Sequence, residues 1–153
     1  MKALTTLLVI GMFLTTVAVA DDVDDVKAVV REHFATLNAG DQVAHLQQHH
    51  MPAYNRFSLN GLRQHFDSVE GQKQQIQTVF DQGSKYNLRL TDVEVNIYGD
   101  SALLSAYLVG SILRPNGNTV QRTDRYSAML VKQGGQWKAV HAHTSALRIP
   151  PTQ

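Results

Sequence analysis

The sequence predicts an α+β domain in which N-terminal helices pack on a strongly curved antiparallel sheet to make a cone around a pocket. Three observations carry this. The first half has apolar residues at helical spacing, the second half alternates them at strand spacing between tight turns, and one alternating run changes phase midway, as a bulged strand does.

Each element follows in order. Val23, Val26, Val30, Phe34 and Leu37 form one helical stripe, with acidic residues in the expected first turn and Gly40 just past the end. Asp41 is placed to cap a shorter helix, "QVAHLQQHH", which must stop before Pro52 because the residue ahead of proline disfavours helical dihedrals. "AYNRFSLNG" reads as a short strand and loop. A third helix follows Ser68, carries Ile76, Val79 and Phe80 on one side, and ends near Gly83. Leu88 and Leu90 then alternate, and Val93, Val95 and Ile97 alternate in the opposite phase. "SALLSAYLVGSILR", the turn "PNGN", "TVQRTDRYSAMLVKQ", the turn "GG" and "QWKAVHAHTSALRI" complete a meander, with "PPTQ" as a frayed tail.

A chain of 153 residues is the size of one domain and has no cysteine, which excludes disulfides, thiolate zinc sites and cysteine nucleophiles. Residues 1–20, "MKALTTLLVIGMFLTTVAVA", read as a secretory signal peptide: Lys2 is the positive region, Leu4 to Val17 the apolar run and Ala18-Val19-Ala20 the cleavage site. The expectation is a mature domain over 21–150, periplasmic or secreted, with no membrane attachment after cleavage. Without Lys2 the basic and acidic side chains balance and no basic patch stands out, so no nucleic-acid partner is expected.

Two histidine pairs have spacings that chelate metals: His141 with His143 on one face of a strand, and His45 with His49 on one face of a helix. The first pair has no carboxylate or further histidine nearby in sequence to complete a coordination set; the second is followed by His50 and Met51. The first pair is expected on the outer sheet face, hydrogen-bonded across strands, and the second on a solvated helix face. No metal and no cofactor are expected.

The stretches "NAGD", "MPAY", "VEG", "GDSALLSAYL" and "DRYSAMLVKQGGQWKAVHAHTS" resemble the nuclear-transport-factor-like superfamily, which includes ketosteroid isomerase and the SnoaL-like polyketide cyclases. Within it the chain is most similar to the association (hub) domain of calcium/calmodulin-dependent protein kinase and its stand-alone bacterial relatives, over roughly residues 23 to 148. The resemblance implies self-association into a dimer or larger homo-oligomer through the outer sheet face, and a ligand pocket under the concave face. Three arginines line that pocket in hub domains; one position falls on Arg125, one on Val109 and one on Thr144, so two of three cations are missing here.

Combined with strand parity, the resemblance puts Ser105, Tyr107, Val109 and Ser111 on the pocket side of one strand, Thr123, Arg125, Ser127 and Met129 on that side of the next, and Val140, Ala142 and Thr144 on that side of the last. By parity Trp137 and Ala139 would then share the outer face with the histidines, while the size of Trp137 predicts that it fills the core or the sheet interface. The ligand-binding candidates are thus Arg125, Tyr107, Tyr54, Thr144 and Val109, with Arg125 meeting a carboxylate or carbonyl of a small ligand. Two other readings stand beside it. One is an acid–base isomerase, cyclase or dehydratase using Arg125 or Tyr107 as electrophile, although no acid or histidine falls on the expected pocket side. The other is a plain oligomerisation module.

Overall fold

A computed structural model describes residues 13–47, 50–58 and 63–147. The start of the expected leader, with Lys2, and the metal-pair candidate His49 lie outside the described residues, as does the tail "PPTQ". The elements are α1 (Phe13–Ala39), α2 (Gln42–Gln47), β1 (His50–Phe57), β2 (Arg63–Phe66), α3 (Val69–Asp81), β3 (Lys85–Tyr98), β4 (Ser101–Leu113), β5 (Thr119–Gln133) and β6 (Gln136–Ala146). The six strands form one curved sheet in the order β2-β1-β6-β5-β4-β3, antiparallel throughout except where β1 runs parallel to β6.

Helix α1 begins earlier than its apolar stripe and runs through the expected cleavage point, so the acidic cluster lies inside the helix rather than in its first turn. Asp22 there accepts hydrogen bonds from Lys132 Nζ and from Trp137 Nε1, the latter at 3.1 Å, which ties the helix to β5 and β6. Those two donors hold the Asp22 carboxyl below its ordinary range, the Lys132 hydrogen bond contributing most. At the other end, the Asn38 side chain donates to Leu88 O at 2.8 Å and accepts from Leu88 N at 2.9 Å, joining α1 to β3.

The caps read from the sequence are present. Asp41 Oδ1 accepts from Ala44 N at 3.0 Å, and Ser68 Oγ accepts from Gly71 N at 3.2 Å. Strand β2, missed in the sequence, is only four residues long and pairs with β1 through Tyr54–Phe66 and Arg56–Gln64. Gln72 fastens α3 to this edge by donating to the carbonyls of Met51 and Pro52 at 2.8 and 2.9 Å.

The phase change in β3 is a bulge: the register with β4 shifts between Thr91 and Glu94, and Asp92 there has φ 53°. A second irregularity lies in β6, where Leu130 pairs with Ala139 but Met129 pairs with His141. Val140 is the extra residue, and it reverses the alternation around it. Trp137 and Ala139 are therefore buried on the same inner face as Ala142, while His141 and His143 point outward. The expectation for the histidines' face holds, the parity expectation for Trp137 and Ala139 does not, and Trp137 fills the core as its size predicts.

The core lies between α1 and the inner sheet face. It comprises Val26, Val30 and Phe34 from the helix against Leu104, Ala106, Leu108, Tyr126, Ala128, Leu130, Trp137 and Ala142. At Gly110 the strands approach so closely that a Cβ would stand 1.9 Å from Asn87 O, and its φ of 142° also excludes other residues.

Candidate functional site

The burial pattern reverses the expected faces of β4 and β5. Ala102, Leu104, Ala106 and Leu108 of β4 are buried, as are Tyr126, Ala128 and Leu130 of β5, whereas Leu103, Tyr107, Arg125 and Met129 are exposed on the outer face. The register gives the reason. Directly opposed residues in adjacent strands share a face, and Thr144 lies opposite Tyr126, while Arg125 lies opposite Ser145 and Tyr107. Arg125, Tyr107 and Val109 therefore belong to the outer face, and the expected inward placement of all three is wrong. Thr144 and Tyr54 are on the inner face as expected.

An inner cation among the described residues with no carboxylate partner is instead Arg56. It shares the inner face of β1 with Tyr54, lies next to Ala142 of β6, and donates from Nε to Gln64 Oε1 at 2.5 Å. The positive charge of Arg56 favours the ionised form of Tyr54, Tyr86 and Tyr126. Burial is the larger influence in each case. It raises Tyr54 to about 12 and lifts Tyr86 and Tyr126 above the ordinary phenol value, Tyr126 further still because Tyr54 is adjacent. All three are thus neutral hydroxyl groups at physiological pH. Among the described residues no carboxylate pairs with Arg56.

The same side of β5 carries Arg122 and Asp124, two residues apart. Arg122 donates from Nε at 2.9 Å and Nη2 at 2.7 Å to one Asp124 oxygen, and the Asp124 side chain is only 4% exposed. Asp124 is an acid on the inner face of β5, where the sequence parity predicts none. Alternation alone did not mark it: Asp124 and Arg122 share a set with Tyr126, Ala128 and Leu130, and Arg125 shares the other with Ser127 and Met129. Arg56 could have been found from its two-residue spacing to Tyr54. A crevice lined by Tyr54, Arg56, Phe66, Gln72 and Ile76 has about 10 Å³, room for a single water molecule. Phe66 stacks on Tyr54 with ring centroids 6.2 Å apart and planes 11° apart.

His45 is not on a solvated face. It is 1% exposed, its ring lies 4.4 Å from that of His33, and its Nδ1 is 3.0 Å from Thr36 Oγ1 and 3.1 Å from His33 O. Since a carbonyl only accepts, Nδ1 carries the proton, and the ring stitches α2 to α1. On the outer face His141 Nδ1 is 2.6 Å from Asn55 Oδ1, a cross-strand hydrogen bond. Among the described residues no group of three or more His, Cys, Asp or Glu could hold a metal ion, and no helix is long and apolar enough to cross a membrane.

Comparison with known proteins agrees with this architecture. A Salmonella enterica protein of the nuclear transport factor 2-like superfamily superimposes with a TM-score of 0.75 at 19% identity, covering 88% of this chain and 96% of that one. A ketosteroid isomerase-like protein from Erwinia carotovora gives 0.69 at 14% identity over 84% and 98% of the two chains. A Xanthomonas campestris protein named for the kinase association domain gives 0.65 at 19% identity over 83% and 87%. No curated protein matches the sequence. Residues 22–148 match the family described as the calcium/calmodulin dependent protein kinase II association domain, so the chain belongs to that family.

Proposed function

We propose that the protein is a self-associating domain whose outer sheet face joins copies, as a homodimer or larger, and whose inner layer holds a small ligand. The observation that carries self-association is the outer face itself. Phe57, Leu103, Tyr107 and Met129 expose between 40% and 46% of their surface on one side of the sheet, an arrangement of large apolar groups that solvated faces avoid. Membership of an association-domain family supports the same reading. Sedimentation velocity tests it: wild-type protein should sediment as a dimer or larger, and Leu103→Asp with Met129→Asp as a folded monomer. A wild type that stays monomeric at every concentration refutes it.

The ligand reading rests on Arg56. A half-buried guanidinium that shares the inner face with Tyr54, with no carboxylate among the described residues to neutralise it, favours a small anionic or carbonyl ligand, and the crevice beside it, which has room for one water, must widen to admit one. Arg56 thus takes the role expected for Arg125. Native mass spectrometry of wild type and Arg56→Gln checks this: a small molecule retained by both, or by neither, removes the support. An acid–base enzyme in the same layer would use Asp124, but Arg122 already occupies that carboxylate with two donors. We infer that residues 1–20 act as a leader and that the domain is periplasmic or secreted, so N-terminal sequencing of exported protein should begin at Asp21.

A further inference from the structure

Register sets two rows of outer-face residues side by side. One runs Glu94, Ser105, Ser127 and His143 across β3, β4, β5 and β6; the next runs Tyr107, Arg125 and Ser145 across β4, β5 and β6. Together with Asp92 they line a hollow of about 490 Å³, within the size range of small-molecule sites. Leu103 and Met129, on which the self-association reading rests, are not among its walls, and neither is Arg56 of the inner layer. The hollow is therefore a separate feature from both.

Its chemistry changes from one end to the other. Asp92 and Glu94 supply carboxylates from β3, Ser105 and Ser127 supply hydroxyls from β4 and β5, and Arg125 supplies a guanidinium with His143 and Ser145 beside it on β6. Among the described residues none of the four charged or titratable groups at the two ends makes an ion pair, and Glu94 accepts only a 3.4 Å hydrogen bond from Asn96 Nδ2. Asp92 is also the one residue other than glycine, among those described, with a positive φ, 53°, inside the β3 bulge. Bulges re-aim side chains beside ligand sites, and this one sets a second carboxylate next to Glu94 at some cost in backbone strain.

The separation of the charges fixes the length of a ligand that meets both. Glu94 and Arg125 are two strand spacings and one two-residue step apart, roughly 10 Å and 7 Å at right angles, so about 12 Å separates the bases of side chains that stand perpendicular to the sheet. A zwitterion held at each end by a charge-assisted hydrogen bond of about 2.8 Å must itself span about 6–7 Å. A free amino acid has half that length, whereas a dipeptide, at about 3.3–3.6 Å per residue, matches it. The single amide of a dipeptide needs an acceptor and a donor midway. The Ser105 and Ser127 hydroxyls stand there, and each can be either.

We propose that the hollow binds a free dipeptide, with its ammonium group on Asp92 and Glu94, its amide over Ser105 and Ser127, and its carboxylate on Arg125. A ligand with one charge leaves the other end of the hollow without a partner, and discrimination follows from that.

Isothermal titration calorimetry with alanyl-alanine tests this, against its N-acetyl form, which lacks the ammonium group, and its C-terminal amide, which lacks the carboxylate. Wild-type protein should bind alanyl-alanine at least about tenfold more tightly than either blocked form or free alanine. Arg125→Gln should abolish the preference over the amide and keep the preference over the N-acetyl form; Asp92→Asn with Glu94→Gln should do the reverse. Circular dichroism establishes that each variant is folded, and asparagine tolerates the positive φ at position 92. Absence of binding by wild type, or equal binding of the blocked forms, would overturn the proposal. A uniform loss of affinity for all the ligands in the folded Arg125→Gln protein would do so too, because it would make the arginine structural. Loss of alanyl-alanine binding in Arg56→Gln but not in Arg125→Gln would move the ligand to the inner layer and likewise overturn it.

Discussion

Replacing Arg122 by methionine isolates the cost of the inner ion pair. Arg122 places two donors, at 2.9 and 2.7 Å, on a single oxygen of Asp124, with side-chain exposures of 17% and 4%. Methionine preserves much of the buried length of the arginine and removes both donors, leaving the Asp124 carboxyl nearly out of water without its partner. Breaking a buried pair from one side costs about 3–5 kcal/mol, because desolvation is no longer offset by the partner. At a urea slope of about 2 kcal/mol per molar, the unfolding midpoint should fall by about 1.5–2.5 M with the slope unchanged. Replacing both partners, Arg122→Met with Asp124→Leu, should return stability to within about 1 kcal/mol of wild type, since the pair's own desolvation penalty is then absent too. The measurement is equilibrium urea unfolding followed by circular dichroism and Trp137 fluorescence. A loss below about 1 kcal/mol in the single variant would mean that the pair behaves as a solvated surface pair and the reasoning is wrong.

Two further outcomes are expected. Gly110→Ala should destabilise by about 3–5 kcal/mol, combining disfavoured φ with loss of β3–β4 ladder bonds around a 1.9 Å approach to Asn87 O; a change under about 1 kcal/mol would show that β3 yields freely. The lowered Asp22 carboxyl contributes stability that is present above its unfolded value near 4 and lost as pH falls through the folded value, so Asp22→Asn should flatten the acid limb of stability against pH. An acid limb as steep as in wild type would mean that other carboxylates set it.

The sequence by itself determined the helices, their caps, the β3 bulge and the meander, because these depend on neighbours within a few residues. Asp41 and Ser68 cap where read, and the slip from Leu90 to Val93 is the register shift seen between Thr91 and Glu94. What only the tertiary structure decided is which face of each strand is inside. Period-2 alternation defines two sets of residues but does not rank them, and both sets of β4 and β5 hold large apolar groups: Leu104 and Leu130 in one, Leu103 and Met129 in the other. The choice is made by cross-strand register and by the extra residue at Val140, which depend on pairing between distant segments. It moves Arg125 and Tyr107 outward and brings Tyr126, Asp124 and Arg122 inward. Arg56 joins them because β1 pairs in parallel with β6, a contact between residues about 86 positions apart that no local pattern encodes.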